Sequence, residues 1–255
     1  MKNLPIVLAA LFMFLMASCK KDNTIAPVDP TQPTTKKIAK MESNYSDGST
    51  EYNAYNYDTQ GRLTSYEDDD DVTTFDYSTP NKVLATRKKR TTQVANQFYE
   101  CDLNDKGLVQ KNVIKLADGR IYGEYRYTYD DAGYIKTEEG IFLDYSFKNE
   151  YDIVNGNLTN YRVYRNNVLD RTTTYKYDKT VKNTLGWRGA GYWNSSVFGK
   201  ELKNAATETI TTDTNGKITW HIKLSYETDA QGYITKFERN YPQTGFWEKT
   251  TVNYQ

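Results

Sequence analysis

The chain has little of what small exported domains commonly use to hold themselves together. It contains two cysteines and one histidine in 255 residues. Cys19 closes an N-terminal targeting segment, so Cys101 has no partner and an intrachain disulfide is excluded. Cys101 follows Phe98 in a strand pattern and reads as a small packed side chain rather than a reactive thiol. His221 alone cannot build a two-histidine metal site, and any histidine-dependent triad would hang on it. Beside Trp220 in the alternating stretch Lys217 to Tyr226, it reads as a strand-surface imidazole. Charge of either sign is not in excess, with 33 basic and 33 acidic residues, so no net field points to nucleic acid. G-x-S-x-G, P-loop and H-E-x-x-H patterns are missing, as is any cofactor motif. Acids are plentiful, but nothing singles out two of them for glycoside cleavage.

Leu, Ile, Val and Phe are also scarce, which at high net charge would indicate disorder. The compensating residue is tyrosine, present 23 times. Its ring can be buried while its hydroxyl stays wet. In Tyr125-Arg126-Tyr127-Thr128-Tyr129-Asp130-Asp131-Ala132-Gly133-Tyr134-Ile135, alternation places three rings on one face of a strand. Asp130 then opens a turn that Gly133 closes with a positive φ. The same unit returns at Tyr55 to Leu63 and Tyr226 to Ile234, and its turn returns at Asp213 to Ile218. Looser copies run through Asn81, Gly107, Gly156 and Tyr177-Asp178. Each spacing leaves room for two strands and two turns. These units resemble the tyrosine-aspartate repeats of the RHS family, whose hairpins chain into a large curled sheet. Residues 38–255 more closely resemble a family of lipoprotein domains of unknown function with a porin-like fold. The resemblance implies architecture and no activity.

Residues 1–18 read as a lipoprotein signal peptide. Lys2 gives a positive start, and Ile6 to Met16 is an apolar run too short to remain as a membrane span. Leu15-Met16-Ala17-Ser18-Cys19 looks like a lipobox, with the Cys19 thiol receiving the lipid. Residues 19–37 are rich in Pro and Thr and read as a disordered spacer. The expected address is the outer membrane, lipid-anchored, on the periplasmic face or the cell surface.

Residues 38–255 are expected to be all-β: a large antiparallel meander of about 16 chained strands, curled into an open or closed porin-like barrel. A two-layer sandwich needs more aliphatic core than the sequence has. A membrane-spanning barrel needs a lipid face, and the strand Ile121 to Tyr129 has none: Tyr122, Glu124, Arg126 and Thr128 alternate with Gly123 and three tyrosines. If the sheet closes, Lys40 to Tyr45 should pair with Trp247 to Tyr254.

The candidate sites are few. Glu67 to Asp71 invites a hard cation, with Asp69, Asp70 and Asp71 as ligands. The alternative is cross-strand pairing across a Ser78 to Asn81 turn, which would place Asp71, Asp70 and Asp69 opposite Lys88, Lys89 and Arg90. The second reading is favoured, leaving no metal site assigned. Leu185 to Gly199 breaks the repeat. It is too glycine-rich for a strand and too aromatic for a solvated loop, so it is expected to fold into the lumen as a plug. Trp187, Tyr192, Trp193 and Trp220 are the candidate ligand-stacking residues. The function expected is a noncatalytic binding or assembly scaffold, with glycan, peptide or an envelope protein as partner. A surface polysaccharide hydrolase and a purely structural envelope component are the alternatives.

Overall fold

Alternation of ring and polar residue, repeated with a turn at each end, produces one continuous wall. A computed structural model describes residues 36–189 and 195–255. Its strands are β1 (Ile38–Tyr45), β2 (Thr50–Tyr57), β3 (Leu63–Glu67), β4 (Asp71–Asp76), β5 (Lys82–Lys89), β6 (Ala95–Leu103), β7 (Val109–Leu116) and β8 (Ile121–Tyr129). The second half comprises β9 (Ile135–Phe142), β10 (Ser146–Val154), β11 (Asn157–Arg165), β12 (Val168–Lys182), β13 (Asn204–Asp213), β14 (Ile218–Thr228), β15 (Ile234–Tyr241) and β16 (Phe246–Tyr254). Each strand pairs antiparallel with its neighbours in the chain, and β1 pairs with β16, so the sheet is a closed barrel. Closure leaves no unpaired edge. The strands expected to meet do so, with Glu42 opposite Thr251 and Tyr45 opposite Glu248.

Because neighbours are antiparallel, connections from even to odd strands share one end of the barrel with the two chain ends of the folded domain. The long segment 183–203 between β12 and β13 lies there, and that end is called the plug end. At the opposite, open end the connections are short hairpin turns.

One turn recurs with the same bonds. At the plug end the N–H groups of Gln60 and Arg62 both donate to Asp58 Oδ1, while Gly61 N–H donates to the Asp58 carbonyl. The pattern returns at Asn104 with Gly107 and at Asp229 with Gly232. Asp213 with Gly216 repeats it at the open end. An aspartate or asparagine supplies the side-chain acceptor, and glycine takes the left-handed φ. Positive φ falls at Gly61, Asn81, Gly107, Gly133, Gly156, Gly216 and Gly232, the positions expected from the sequence, and also at Gly48, Gly119 and Gly245.

The tyrosine beside these turns has its own task. Tyr129 and Tyr254 close strands at the plug end, Tyr77 lies just past one, and Tyr177 and Tyr226 lie in the plug-end part of theirs. Each hydroxyl donates to a carbonyl at the start of the preceding strand: Leu63, Val109, Leu158, Ala206 and Ile234 respectively. Several of the acceptor residues lie opposite β-bulges, Val109 opposite that at Asp102/Leu103 and Ile234 opposite that at Glu227/Thr228. A bulge leaves a ladder carbonyl without its regular partner, and a phenol of fixed reach can satisfy it.

Inward-facing residues are rings, small polar groups and a few aliphatics, arranged in two clusters. One gathers Val83, Tyr99, Cys101, Ile114, Tyr125 and Tyr127; the other gathers Ile38, Tyr55, Leu63, Ile234, Phe237 and Val252. Phe198 and Leu202 of segment 183–203 belong to the first, and Leu185 of the same segment to the second. Two strand glycines face inward because rings lie on them. A Cβ at Gly123 would sit 2.4 Å from Phe142 Cε1, and one at Gly140 would sit 2.2 Å from Phe147 Cε1. Both pairs are directly cross-strand.

The outer wall is ionic. Lys111 and Arg126 flank Glu124; Arg162 bridges Glu150 and Asp152; Lys176 and His221 share Glu208. The wall is thus laced with ion pairs between the ends, while exposed apolar residues such as Ile121, Ile141, Leu143 and Val168 gather at the open end. Among the described residues no helix is long and apolar enough to cross a membrane.

Each tyrosine tie should contribute about 0.5–1.5 kcal/mol. Tyr129→Phe and Tyr177→Phe, far apart round the barrel, are therefore expected to lower unfolding free energy additively by that amount each in a denaturant titration. No loss in either variant would show that the hydroxyls are bystanders.

Candidate functional site

The lumen narrows to a cavity of about 770 Å³ between segment 183–203 and the open end. Leu185, Gly186, Trp187 and Leu202 form its floor, and Tyr55, Tyr66, Tyr99, Tyr175 and Tyr241 contribute rings from the wall. Every wall ring comes from the inward set of an alternating strand, as the two-residue period demands. Burial pushes the Tyr66 phenol up to about 12, which keeps it a neutral hydrogen-bond donor to Asn53.

Three arginines line the same cavity, each beside a carboxylate. Arg239 Nη1 lies 3.0 and 2.8 Å from the two oxygens of Glu248, which is itself buried. Arg87 Nη2 lies 2.6 Å from Asp71 Oδ2 and 3.8 Å from Asp68. Arg188, buried within segment 183–203, donates to the Gly199 carbonyl at 2.9 Å and to Glu201 at 2.5 Å. The lumen is thus rich in polar groups fixed in direction, while its charges cancel in pairs.

The plug expected at Leu185 to Gly199 is supported by its contacts. Lys200 and Lys203 N–H donate to the carbonyls of Gly133 and Gly156 in two plug-end turns. Asn183 bonds to Trp187 and Leu202, holding the two limbs of the segment together. The Phe198 ring packs edge-on against Tyr127 at 5.6 Å. Beneath the plug, the buried Glu138 carboxylate accepts from Asn149 Nδ2 at 2.8 Å and from the Tyr151 hydroxyl at 2.9 Å. Burial is the largest influence and raises its pKa above the ordinary 4.5; those hydrogen bonds oppose the rise.

The candidate ligand residues are divided. Trp187 lines the cavity floor, with its ring edge-on to Phe237 at 6.1 Å and Arg239 over its face at 5.8 Å. Trp220 occupies the inward set of β14 near the open rim, is 54% exposed, and meets Tyr241 edge-on at 5.8 Å. The two tryptophans therefore stand toward opposite ends of the lumen. Tyr192, Trp193 and Cys19 lie outside the described residues. Sequence reading missed Tyr241, Phe246 and Tyr45, which continue from Trp220 along the rim through ring pairs at 5.4 and 5.9 Å. It also missed the lumenal arginines. The available signal was parity: Arg239 alternates in step with Phe237 and Tyr241.

The acidic run is tied into ion pairs, but in a corrected register. Asp71 faces Lys89, and Val72 faces Lys88. The expected alignment is one residue off because the turn holds Tyr77 outside the ladder, with Asp76 opposite Leu84 and Ser78 N–H bonded to Asp76. The shift turns Asp71 inward to Arg87 and Lys89, and it leaves Arg90 paired with Glu67. Asp69 accepts from Tyr52 N–H at 3.2 Å, and Asp70 contributes its carbonyl to Arg90 N–H. Among the described residues no group of three His, Cys, Asp or Glu could hold a metal ion. His221 faces outward, 2.7 Å from Glu208, and burial raises the Cys101 thiol to about 12, so it stays protonated.

No protein-family model matches the chain, and no curated protein matches it. Solved structures do. A porin-like protein from Bacteroides uniformis ATCC 8492 superposes with a TM-score of 0.65 at 15% identity, covering 86% of this chain and 98% of its own. A porin-like protein from Bacteroides vulgatus ATCC 8482 gives 0.62 at 14% identity, with the same coverage. At these identities the likeness is one of fold, and it is the porin-like barrel expected for residues 38–255.

The raised Glu138 pKa has a sign that can be checked. Between 4.5 and the raised value the folded state keeps a proton that the unfolded chain has released, so stability falls as pH rises through that window. Glu138→Gln removes the titration. Unfolding free energy measured at a series of pH values should show wild type losing ground to Glu138→Gln above pH 4.5. A pH-independent difference would contradict this.

Proposed function

We propose that this chain is an exported lipoprotein, anchored at the outer membrane through Cys19, whose barrel binds a ligand in its lumen without transforming it. The lumenal cavity carries this reading: a space of about 770 Å³, walled by rings and oriented polar groups, at the end of the barrel that the plug does not fill. Binding sites have this character, being concave, largely apolar and furnished with a few fixed polar groups. The carboxylates at the lumen are engaged: Glu248 by Arg239, Asp71 by Arg87 and Lys89. A holding role uses such pairs as fixed hydrogen-bonding groups, whereas acid catalysis needs a carboxyl free to exchange its proton with substrate. The N-terminal lipobox and Pro/Thr-rich spacer supply the tether, and the ionic outer wall suits a domain held beside the bilayer.

Two experiments test the two parts. Cys19→Ser should move the protein from the membrane pellet to the soluble fraction; unchanged sedimentation with membranes would remove the anchor from the reading. Thr209 faces the cavity from β13, so Thr209→Trp should put an indole into it and obstruct a ligand there. Native mass spectrometry of the full-length lipoprotein released from the envelope in mild detergent should show a small-molecule adduct on wild type that Thr209→Trp lacks. Equal spectra would overturn lumenal binding.

A further inference from the structure

We infer that the lumen takes an uncharged oligosaccharide, received on a strip of aromatic rings that runs round the open rim above the cavity. The inference rests on the lumenal binding proposed above and names the ligand's class.

Three observations narrow the chemistry. The first is the strip itself. Trp220, Tyr241, Phe246 and Tyr45 form a chain of ring contacts at the rim, with centroid spacings of 5.8, 5.4 and 5.9 Å, while Trp187 and Phe237 meet at 6.1 Å deeper in. A pyranose has flat faces of C–H groups, which pack on aromatic rings, and an equatorial belt of hydroxyls, which needs directed partners. The guanidinium groups of Arg87 and Arg239, beside the cavity rings, are held by Asp71 and Glu248 and are already oriented for such partners. Preorganised polar groups lower the ordering penalty of binding.

The second observation is charge balance. Each lumenal arginine stands next to a carboxylate, so the cavity offers no net field to draw in a phosphate, sulfate or uronate. The same paired charges line the walls where an acyl chain would have to lie, and desolvating them against hydrocarbon is unfavourable. The third is closure. A peptide that binds by adding a strand needs a free sheet edge, and a closed sixteen-strand barrel offers none. A neutral carbohydrate is the class left with partners for both its faces and its edges.

The test uses full-length lipoprotein in detergent, titrated by calorimetry and tryptophan fluorescence. The probes are neutral glucose, mannose and xylose oligomers of about three to six units, sized to the cavity class, beside oligogalacturonate, short peptides and a fatty acid. At least one neutral oligomer should bind saturably, with an affinity insensitive to salt. Trp220→Ala should weaken it about tenfold or more, and Trp220 is exposed enough for folding to tolerate the change. Tyr241→Leu should do the same, and the outward His221→Ala should not. Binding only of the anionic oligomer, a peptide or the fatty acid, blocked by Thr209→Trp, would overturn the sugar class and leave lumenal binding standing. Neutral binding untouched by Trp220→Ala and Tyr241→Leu would place the sugar elsewhere and overturn the inference. Silence from every probe, together with identical adduct spectra for wild type and Thr209→Trp, would sink the underlying reading as well.

Discussion

The constraint behind this structure is the width of its own ring. Sixteen strands, once closed, enclose more space than side chains from the wall can fill, and an unfilled lumen forfeits the burial that holds a domain together. The chain answers with its largest amphipathic residue. Tyrosines reach inward across the gap, and at the plug end their hydroxyls return to backbone carbonyls. Phenylalanine would bury as much ring but leave those carbonyls unsatisfied in a half-buried corner. Tyrosine enrichment and the barrel's diameter are therefore one fact seen twice.

The plug completes the solution at one end only. Segment 183–203 joins both core clusters, with Leu185 in one and Phe198 and Leu202 in the other, so it ties opposite walls together. Its own buried cation, Arg188, is satisfied by carbonyls and Glu201. At the other end the wall runs on in short hairpins. The result is a cup, with a stable base and an open, ring-lined mouth.

Much of this was legible in the sequence because the underlying signals are local. The Asp-x-x-Gly turns need a side-chain acceptor and a residue free to take positive φ, and both are visible as letters. Strand number followed from counting turns, and closure was conditional on β1 meeting β16. The Asp71 register was misjudged because a slip of one residue depends on how the Tyr77 turn folds, and composition does not encode that. The lumenal ion pairs were illegible for a different reason. Arg239 and Glu248 are neighbours only because β15 and β16 pair in one register, and Arg87 reaches Asp71 only across β4 and β5. Cross-strand partners become readable only after alignment is fixed. Trp220 was named as a candidate from the sequence, but the tyrosines and phenylalanine beside it were hidden among many similar residues.

The seam between β1 and β16 joins residues some two hundred positions apart, with Lys37 and Gln255 exchanging both backbone hydrogen bonds at its base. Nearly every other contact in the sheet is made between sequence neighbours. Assembly can therefore zip hairpin by hairpin, but the final joint must wait until the C-terminal strand has been synthesised. A product released one strand short would carry two raw margins, each a template for the matching margin of another copy. Premature termination in this architecture would be expected to yield polymers rather than inert fragments.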